Sequence, residues 1–331
     1  MAHDIDHSTG KPAIAYVGET PWHGLGEKLP PGASIERWLR AARLEWELER
    51  LPVQYLVQGR VRTMPGRFVL VRSDTDAALS IVSEDYQVVQ PKEVLEFYRN
   101  LADLYGYTLE TSGALDGGRK VWALAKTGIA DIVGKDQSDE LGAYLLLATS
   151  CDKTLATTAT YTSIRVVCQN TLFFAMEEVE EGRRRHVKIP HTRRFNPNLV
   201  MQALKPMDTA WAEFIAKVSE FACYPMEPDE AGLYFKAVLV PENKDFSDKT
   251  WLEHETICSL YRSAPGQDLP SARKTLWGAV NAVTYYADHV RSESSADRLN
   301  SAWFGAGDGL KERAWTQASQ LVSPAPAVPF L

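Results

Sequence analysis

Nowhere does the sequence run to the roughly 18 consecutive apolar residues that a membrane-spanning helix needs. Its first residues, Met1 to His7, have neither the basic stretch nor the apolar core of a secretory leader. Cysteine is scarce. Cys151, Cys168, Cys223 and Cys258 are the only four, far apart and with no C-x-x-C pair, so neither a disulfide framework nor a cysteine-based zinc site is expected. These absences give the expectation of a soluble cytoplasmic protein with reduced thiols. The phosphate-binding pattern G-x-x-x-x-G-K-[ST], the nucleophile elbow G-x-S-x-G and the zinc pattern H-E-x-x-H are also missing, which removes the commonest enzyme signatures. Positive charge is in deficit, with 36 Lys and Arg against 43 Asp and Glu and a net charge of −7. Proteins that hold nucleic acid over their whole surface are basic, so such binding here would need a local cationic patch.

What is present is ordinary for a globular chain: 45% hydrophobic and 24% charged residues over 331 positions, enough for about two domains. Ser34 is placed to cap a helix whose apolar face is Ile35, Trp38, Leu39 and Ala42. The period then shortens to two, and runs at 53–57, 68–72 and 79–83, separated by Gly, Pro and Asp turns, predict an antiparallel meander. Pro91 opens a second helix that Gly106 stops. Strands are expected at 107–111, 120–125, 143–149 and 155–160, with Asp116-Gly117-Gly118 as a hairpin turn and a loop at 150–154. A helix over 163–176 is expected to close this part, burying Ile164, Val167, Cys168, Thr171, Leu172 and Ala175. Beyond Pro197 the pattern is helical: 211–221, 231–239, 249–261, a long segment capped by Ser271, and 308–321. The fold class is therefore α+β. A loop segment (1–33) precedes an α+β domain (34–190) with a mixed antiparallel sheet and flanking helices; a mostly helical domain (191–322) and a Pro/Ala-rich tail (323–331) follow.

Four strings occur in order: Pro21-Trp22-His23-Gly24-Leu25-Gly26; Tyr86 with Val88-Val89-Gln90-Pro91; Arg165-Val166-Val167-Cys168-Gln169-Asn170-Thr171-Leu172; and Ser301-Ala302-Trp303-Phe304-Gly305. With them the chain resembles the phage/plasmid-like protein family, over about Ala13 to Lys311. The resemblance implies residence on mobile elements and a part in replication, recombination or conflict with host defences. It implies no activity or cofactor. Where relatives read Ser-His-Asp-Gly this chain has Ser150-Cys151-Asp152-Lys153, which leaves a function needing that histidine in doubt. The order of strands and helix also resembles the core of single-strand-annealing recombinases, which form rings and hold single-stranded DNA in a basic groove; this likeness is one of topology alone.

The strongest local signal is cationic. Arg183, Arg184, Arg185, Lys188, Arg193 and Arg194 put six positive charges into twelve residues, interleaved with Val187, Ile189 and Phe195. Such a segment can neutralise phosphates while an aromatic ring stacks on a base. The plainer reading is a solvated linker paired with Glu177 to Glu181 just upstream. On the expected helix Arg165 and Gln169 share a face, next to Asn170, and could meet a phosphate or base edge; alternatively Arg165 is a bidentate structural tie. Trp22 anchors a loop, and its neighbour His23 reads better as a hydrogen-bonded loop residue than as a base or ligand. Trp303 serves as an interface anchor or, more simply, as core. No catalytic residue, metal or cofactor is assigned. The leading expectation is a non-enzymatic protein binding nucleic acid, single-stranded DNA in particular, as a homo-oligomer; the alternative is a protein-interaction module acting on host proteins.

Overall fold

The computed structural model describes residues 5–18, 24–134, 138–165, 167, 170–173, 187–203, 207–240, 247–291, 301–303 and 305–323. The fold is α+β. Strands β1 (Ile14–Tyr16) and β2 (Glu27–Lys28) lead to helix α1 (Ile35–Ala41). Next come β3 (Leu48–Val57), β4 (Arg60–Arg72) and β5 (Ala78–Ser83), then α2 (Pro91–Tyr105). Five strands follow: β6 (Thr108–Leu115), β7 (Lys120–Val133), β8 (Asp139–Ser150), β9 (Thr157–Arg165) and β10 (Asn170–Phe173), with β11 (Val187–Ile189) after them. The rest is helical: α3 (Pro197–Ala203), α4 (Met207–Cys223), α5 (Pro228–Leu239), α6 (Asp248–Ser263), α7 (Leu276–Tyr285) running into a π-helical turn over Tyr286–Val290, and α8 (Ala306–Val322). The larger sheet has the order β10-β9-β8-β7-β6-β1-β2, with β11 also on β9; it is mixed, because β1 and β2 run parallel while β1–β6 and β6–β7 are antiparallel. The smaller sheet is the meander β3-β4-β5. No described helix is long and apolar enough to cross a membrane.

The chain divides into two compact units built from alternating segments: residues 1–128, 144–161 and 182–204 form unit 1, and 129–143, 162–181 and 205–331 form unit 2. In unit 1, Ser34 caps α1 as its spacing predicts, its hydroxyl accepting from the Arg37 N–H. Helix α2 starts at Pro91 behind a Gln90–Glu93 capping box and ends at Gly106, whose φ of 70° lets the chain leave the helix in the left-handed conformation. Its inner face, Val94, Leu95, Phe97, Tyr98 and Leu101, is buried along with Ala114, Leu115, Leu145 and Leu147 of the sheet. The phenol of Tyr98 is satisfied inside that core by donating to the Ala123 or Leu145 carbonyl. Arg72 is also fully buried, bridging Asp6 at 2.5 Å and Asp74 at 2.8 Å with its guanidinium 4.3 Å over the Trp46 ring.

Unit 2 is organised around α7. All nine residues from Leu276 to Thr284 are buried, the pattern of a helix enclosed on every side. Helices α4, α5, α6 and α8 and strand β10 pack against it. Trp211, Phe214, Phe221 and Trp315 form one aromatic cluster, and Tyr234, Phe235 and Tyr261 another. The expected helices at 211–221, 231–239, 249–261 and 308–321 are all present, each extended by a few residues.

Two expectations fail here. Residues 163–176 do not form the expected helix: the chain stays in β9 to Arg165, and Asn170 to Phe173 return as β10, pairing antiparallel with Thr162 to Arg165. The helical spacing of Ile164, Thr171 and Leu172 is coincidental, and the pairing of Thr171 with Ile164 places them side by side on adjacent strands. Ser271 does not cap α7. Thr275 does, accepting from the Gly278 N–H, while Ser271 points its hydroxyl at Asp139.

Candidate functional site

The meander in unit 1 contains a feature that the sequence pattern divides differently. The runs at 53–57 and 68–72 are separated by Met64-Pro65-Gly66, which suggests a turn there. The reversal instead occurs at Gln58-Gly59, with φ of 48° and 73°, the two left-handed residues of a tight two-residue hairpin. Val57 therefore pairs with Arg60, Leu56 with Val61, Tyr55 with Arg62 and Gln54 with Thr63. Register shifts between Pro52 and Gln54, where the Met64-Pro65-Gly66 stretch makes a bulge with Gly66 at φ 64°. The outcome is a two-stranded ribbon extending from the three-stranded sheet. All fourteen residues from Gln54 to Arg67 are exposed, on both faces, so the ribbon stands clear of the body. From Val53 to Val57 it reaches about 14 Å at ~3.4 Å per residue.

Side chains alternate across a strand, and directly paired residues share a face. One face of the ribbon thus carries Tyr55, Val57, Arg60 and Arg62, and the other Gln54, Leu56, Val61 and Thr63. Leu56 and Val61 are 70% and 65% exposed. Nearer the body, Arg67 is exposed, and Arg50 is braced by donating to the Ser83 and Glu84 carbonyls with its guanidinium 4.6 Å from the Phe68 ring. From Arg50 to Ser73 there are five arginines and no carboxylate. With 43 acidic residues in 331, a stretch of 24 would ordinarily hold about three. This acid-free stretch is the signal in the sequence that could have identified the ribbon.

The second cationic segment is also in unit 1. Lys188 in β11, Arg193 and Arg194 are exposed, and among the described residues none of them makes an ion pair. His191 fixes the segment: its ring stacks on Tyr86 with centroids 4.7 Å apart, and its two nitrogens lie 3.2 Å from the Gln87 and Leu155 carbonyls. The Gln87 N–H donates to the His191 carbonyl at 2.6 Å. Ser83, four residues before Gln87, pairs with Arg67, so residues 83–87 link the root of the ribbon to the second cationic segment within one unit. Burial, with the Cys151 and Asp152 charges adding, pushes the Tyr86 phenol well up; it donates to the Ser150 carbonyl. Phe195 does not offer a stacking platform, because it is buried against Phe97 at 6.1 Å. Arg183, Arg184, Arg185, Gln169, Trp22 and His23 lie outside the described residues.

Arg165 belongs to unit 2 and is only 1% exposed. Its Nε and Nη2 donate to the two carboxylate oxygens of Asp139 at 2.6 and 2.8 Å, and Nη2 also donates to the Gly266 carbonyl at 3.0 Å. Asp139 accepts from Ser271 Oγ at 2.6 Å and Trp277 Nε1 at 3.0 Å as well. The bidentate-tie reading of Arg165 fits this geometry; Arg165 ends strand β9 rather than lying on the expected helix. Asn170 opens β10, and Trp303 is 7% exposed. A second buried tie joins β10 to α8: Lys311 Nζ donates to Asp288 Oδ1 and to the Thr171 carbonyl, both at 2.8 Å, while Asp288 Oδ2 accepts from the Thr171 N–H and hydroxyl. Both networks are enclosed, with no side exposed to a substrate.

Among the described residues no group of three or more His, Cys, Asp or Glu is arranged to hold a metal ion. Cys151 is buried, and burial together with the Asp152 charge pushes its thiol up to about 12, far from a nucleophile's range.

Neither the curated proteins nor the solved structures contain a match to the chain. One family model does match, over residues 78–303, about two thirds of the length. The chain belongs to that family, described as a domain of unknown function, DUF932.

Proposed function

We propose that this is a non-enzymatic nucleic-acid-binding protein whose contact surface lies on unit 1. One observation carries the reading: a body of net charge −7 presents Arg60, Arg62, Arg67, Lys188, Arg193 and Arg194 to solvent without carboxylate partners among the described residues. Exposed cations that make no ion pair are suited to a polyanion. The resemblance to phage/plasmid-like proteins supports the same reading, since replication and recombination on mobile elements need proteins that hold DNA.

The test is a fluorescence-anisotropy titration of labelled DNA, single-stranded and duplex, repeated across salt concentrations. Binding that weakens steeply with salt is expected, and replacing Lys188, Arg193 and Arg194 with Ala lowers affinity uniformly across sequences. Absence of binding to either form at micromolar protein and low salt removes the proposal. A second reading, a module that docks on another protein, draws on unit 2, where Leu233, Trp251 and Leu252 on α5 and α6 are 72%, 50% and 66% exposed. Co-purification of one protein that survives nuclease treatment would favour it.

A further inference from the structure

We propose that the β3–β4 ribbon is an arm that enters a groove of double-stranded nucleic acid, with the Tyr55, Val57, Arg60 and Arg62 face turned to the duplex. The proposal rests on the nucleic-acid reading above and specifies which form is held and by what.

The ribbon's isolation is the starting point. A two-stranded hairpin is marginal in water by itself, and this one spends Tyr55, Leu56, Val57, Val61 and Met64 on solvent exposure without contributing to either core. Large apolar side chains gathered on a projecting element mark a contact surface. The ribbon's charge says with what. Arg60 and Arg62 stand two residues apart on one face, about 6.7 Å at the usual strand rise, with no acidic residue between Arg50 and Ser73. Two copies joined through this face would bring four guanidinium groups together with no carboxylate between them, which disfavours a second copy of the chain. Phosphate supplies the missing charge.

Shape decides between duplex and single strand. Paired strands lie about 4.8 Å apart, and a two-stranded ribbon fits the ~12 Å major groove of B-form DNA. Single-strand binding relies on a series of exposed aromatic platforms. The ribbon has one, Tyr55; Phe68 at its root is covered by Arg50, and Phe195 in the second cationic segment is buried. Leu56 and Val61, directly opposite one another on the far face, form the cross-strand pair that holds the register where no third strand helps.

The experiment compares wild type with Arg60→Ala/Arg62→Ala, using the full chain, a labelled DNA duplex and one of its strands. Both side chains are exposed and outside either core, so folding is unaffected; circular dichroism checks this. Loss of two phosphate contacts should lower the slope of log affinity against log salt by about 1.8 and reduce duplex affinity by some tens of fold near ~0.1 M salt. Single-strand binding should fall much less. Wild-type binding of duplex that the double variant keeps, with an unchanged slope, overturns the arm and leaves the nucleic-acid reading intact. An equal loss on duplex and single strand overturns the duplex assignment. Light scattering of the DNA-free protein that shows a dimer lost on Leu56→Ser/Val61→Ser overturns the proposal in favour of self-association. Wild type that binds neither form removes both the arm and the function on which it rests.

Discussion

Replacing Arg165 with Met takes away one partner of a fully buried ion pair and leaves the Asp139 carboxylate enclosed with only the Ser271 hydroxyl and the Trp277 indole N–H. Breaking a buried pair from one side costs about 3–5 kcal/mol, because the remaining charge stays out of water without its counterion. Asp139→Asn should cost about as much by a different route: it keeps an oxygen for Ser271 and Trp277 but turns an amide N–H toward the Arg165 guanidinium, donor against donor. In the double variant the remaining oxygen still serves Ser271 and Trp277 and the introduced thioether needs no partner, while the two amide N–H groups and the Gly266 carbonyl lose their partner, a loss of about 1–3 kcal/mol for each group left unsatisfied. The double variant is therefore expected to lose less than the sum of the two single losses, because no uncompensated buried charge remains in it. Urea unfolding followed by far-ultraviolet circular dichroism reads this as a midpoint that drops for each single change and, for the pair, drops by less than the two shifts together. A double variant whose loss equals the sum of the two single losses would falsify the coupling, and a loss below about 1 kcal/mol for Arg165→Met would show the pair to be dispensable.

Acid should weaken unit 1 through Asp6. Burial pushes the Asp6 carboxyl up, but hydrogen bonds from Ser8 and Arg72 and the Arg72 charge together hold it below its usual 3.8. A depressed carboxylate adds stability that is complete above the ordinary value and fades as pH falls through the lower, folded one. The stability of wild type should thus decline below about pH 4, and Asp6→Asn should flatten that decline; identical acid profiles for the two would refute the assignment. Cys151, with its thiol raised to about 12 and its side chain buried, should resist alkylation by iodoacetamide in the native protein, while exposed Cys223 reacts readily. Peptide mapping by mass spectrometry distinguishes them, and prompt native labelling of Cys151 would contradict the burial described.

Where local chemistry sets the structure, the sequence is easily read. Ser34 before an amphipathic run, Pro91 and Gly106 at the two ends of α2, and the apolar periodicity of α4, α5, α6 and α8 all correspond to elements found. Reading fails where partners are remote. Strand β9, Thr-Thr-Ala-Thr-Tyr-Thr-Ser-Ile-Arg, is buried along almost its whole length, so the alternation of inner and outer faces that marks a strand is absent. Arg165 looks solvent-facing until Asp139 and Gly266, 26 and 101 residues away in the chain, are brought to it. The ribbon was obscured by Pro65-Gly66, ordinary turn residues that here form a bulge within one long strand, while the true reversal at Gln58-Gly59 places a non-glycine residue at positive φ. Arginine-rich strings draw attention to 183–194; an absence of acids over 50–73 is a quieter signal, visible only against the acidity of the rest.

The alternation of segments between the two units sets a timetable for synthesis. The backbone passes from one unit to the other five times, and unit 1 has all its parts once residue 204 has left the ribosome. Asp139 is in a different position. Trp277 follows it by 138 residues, which at ~5–20 residues per second means a wait of roughly 7–28 s before its surroundings can close. During that interval Arg165, translated soon after Asp139, is the one member of its final set of partners already present, so the salt bridge can serve as a placeholder around which the later helices assemble.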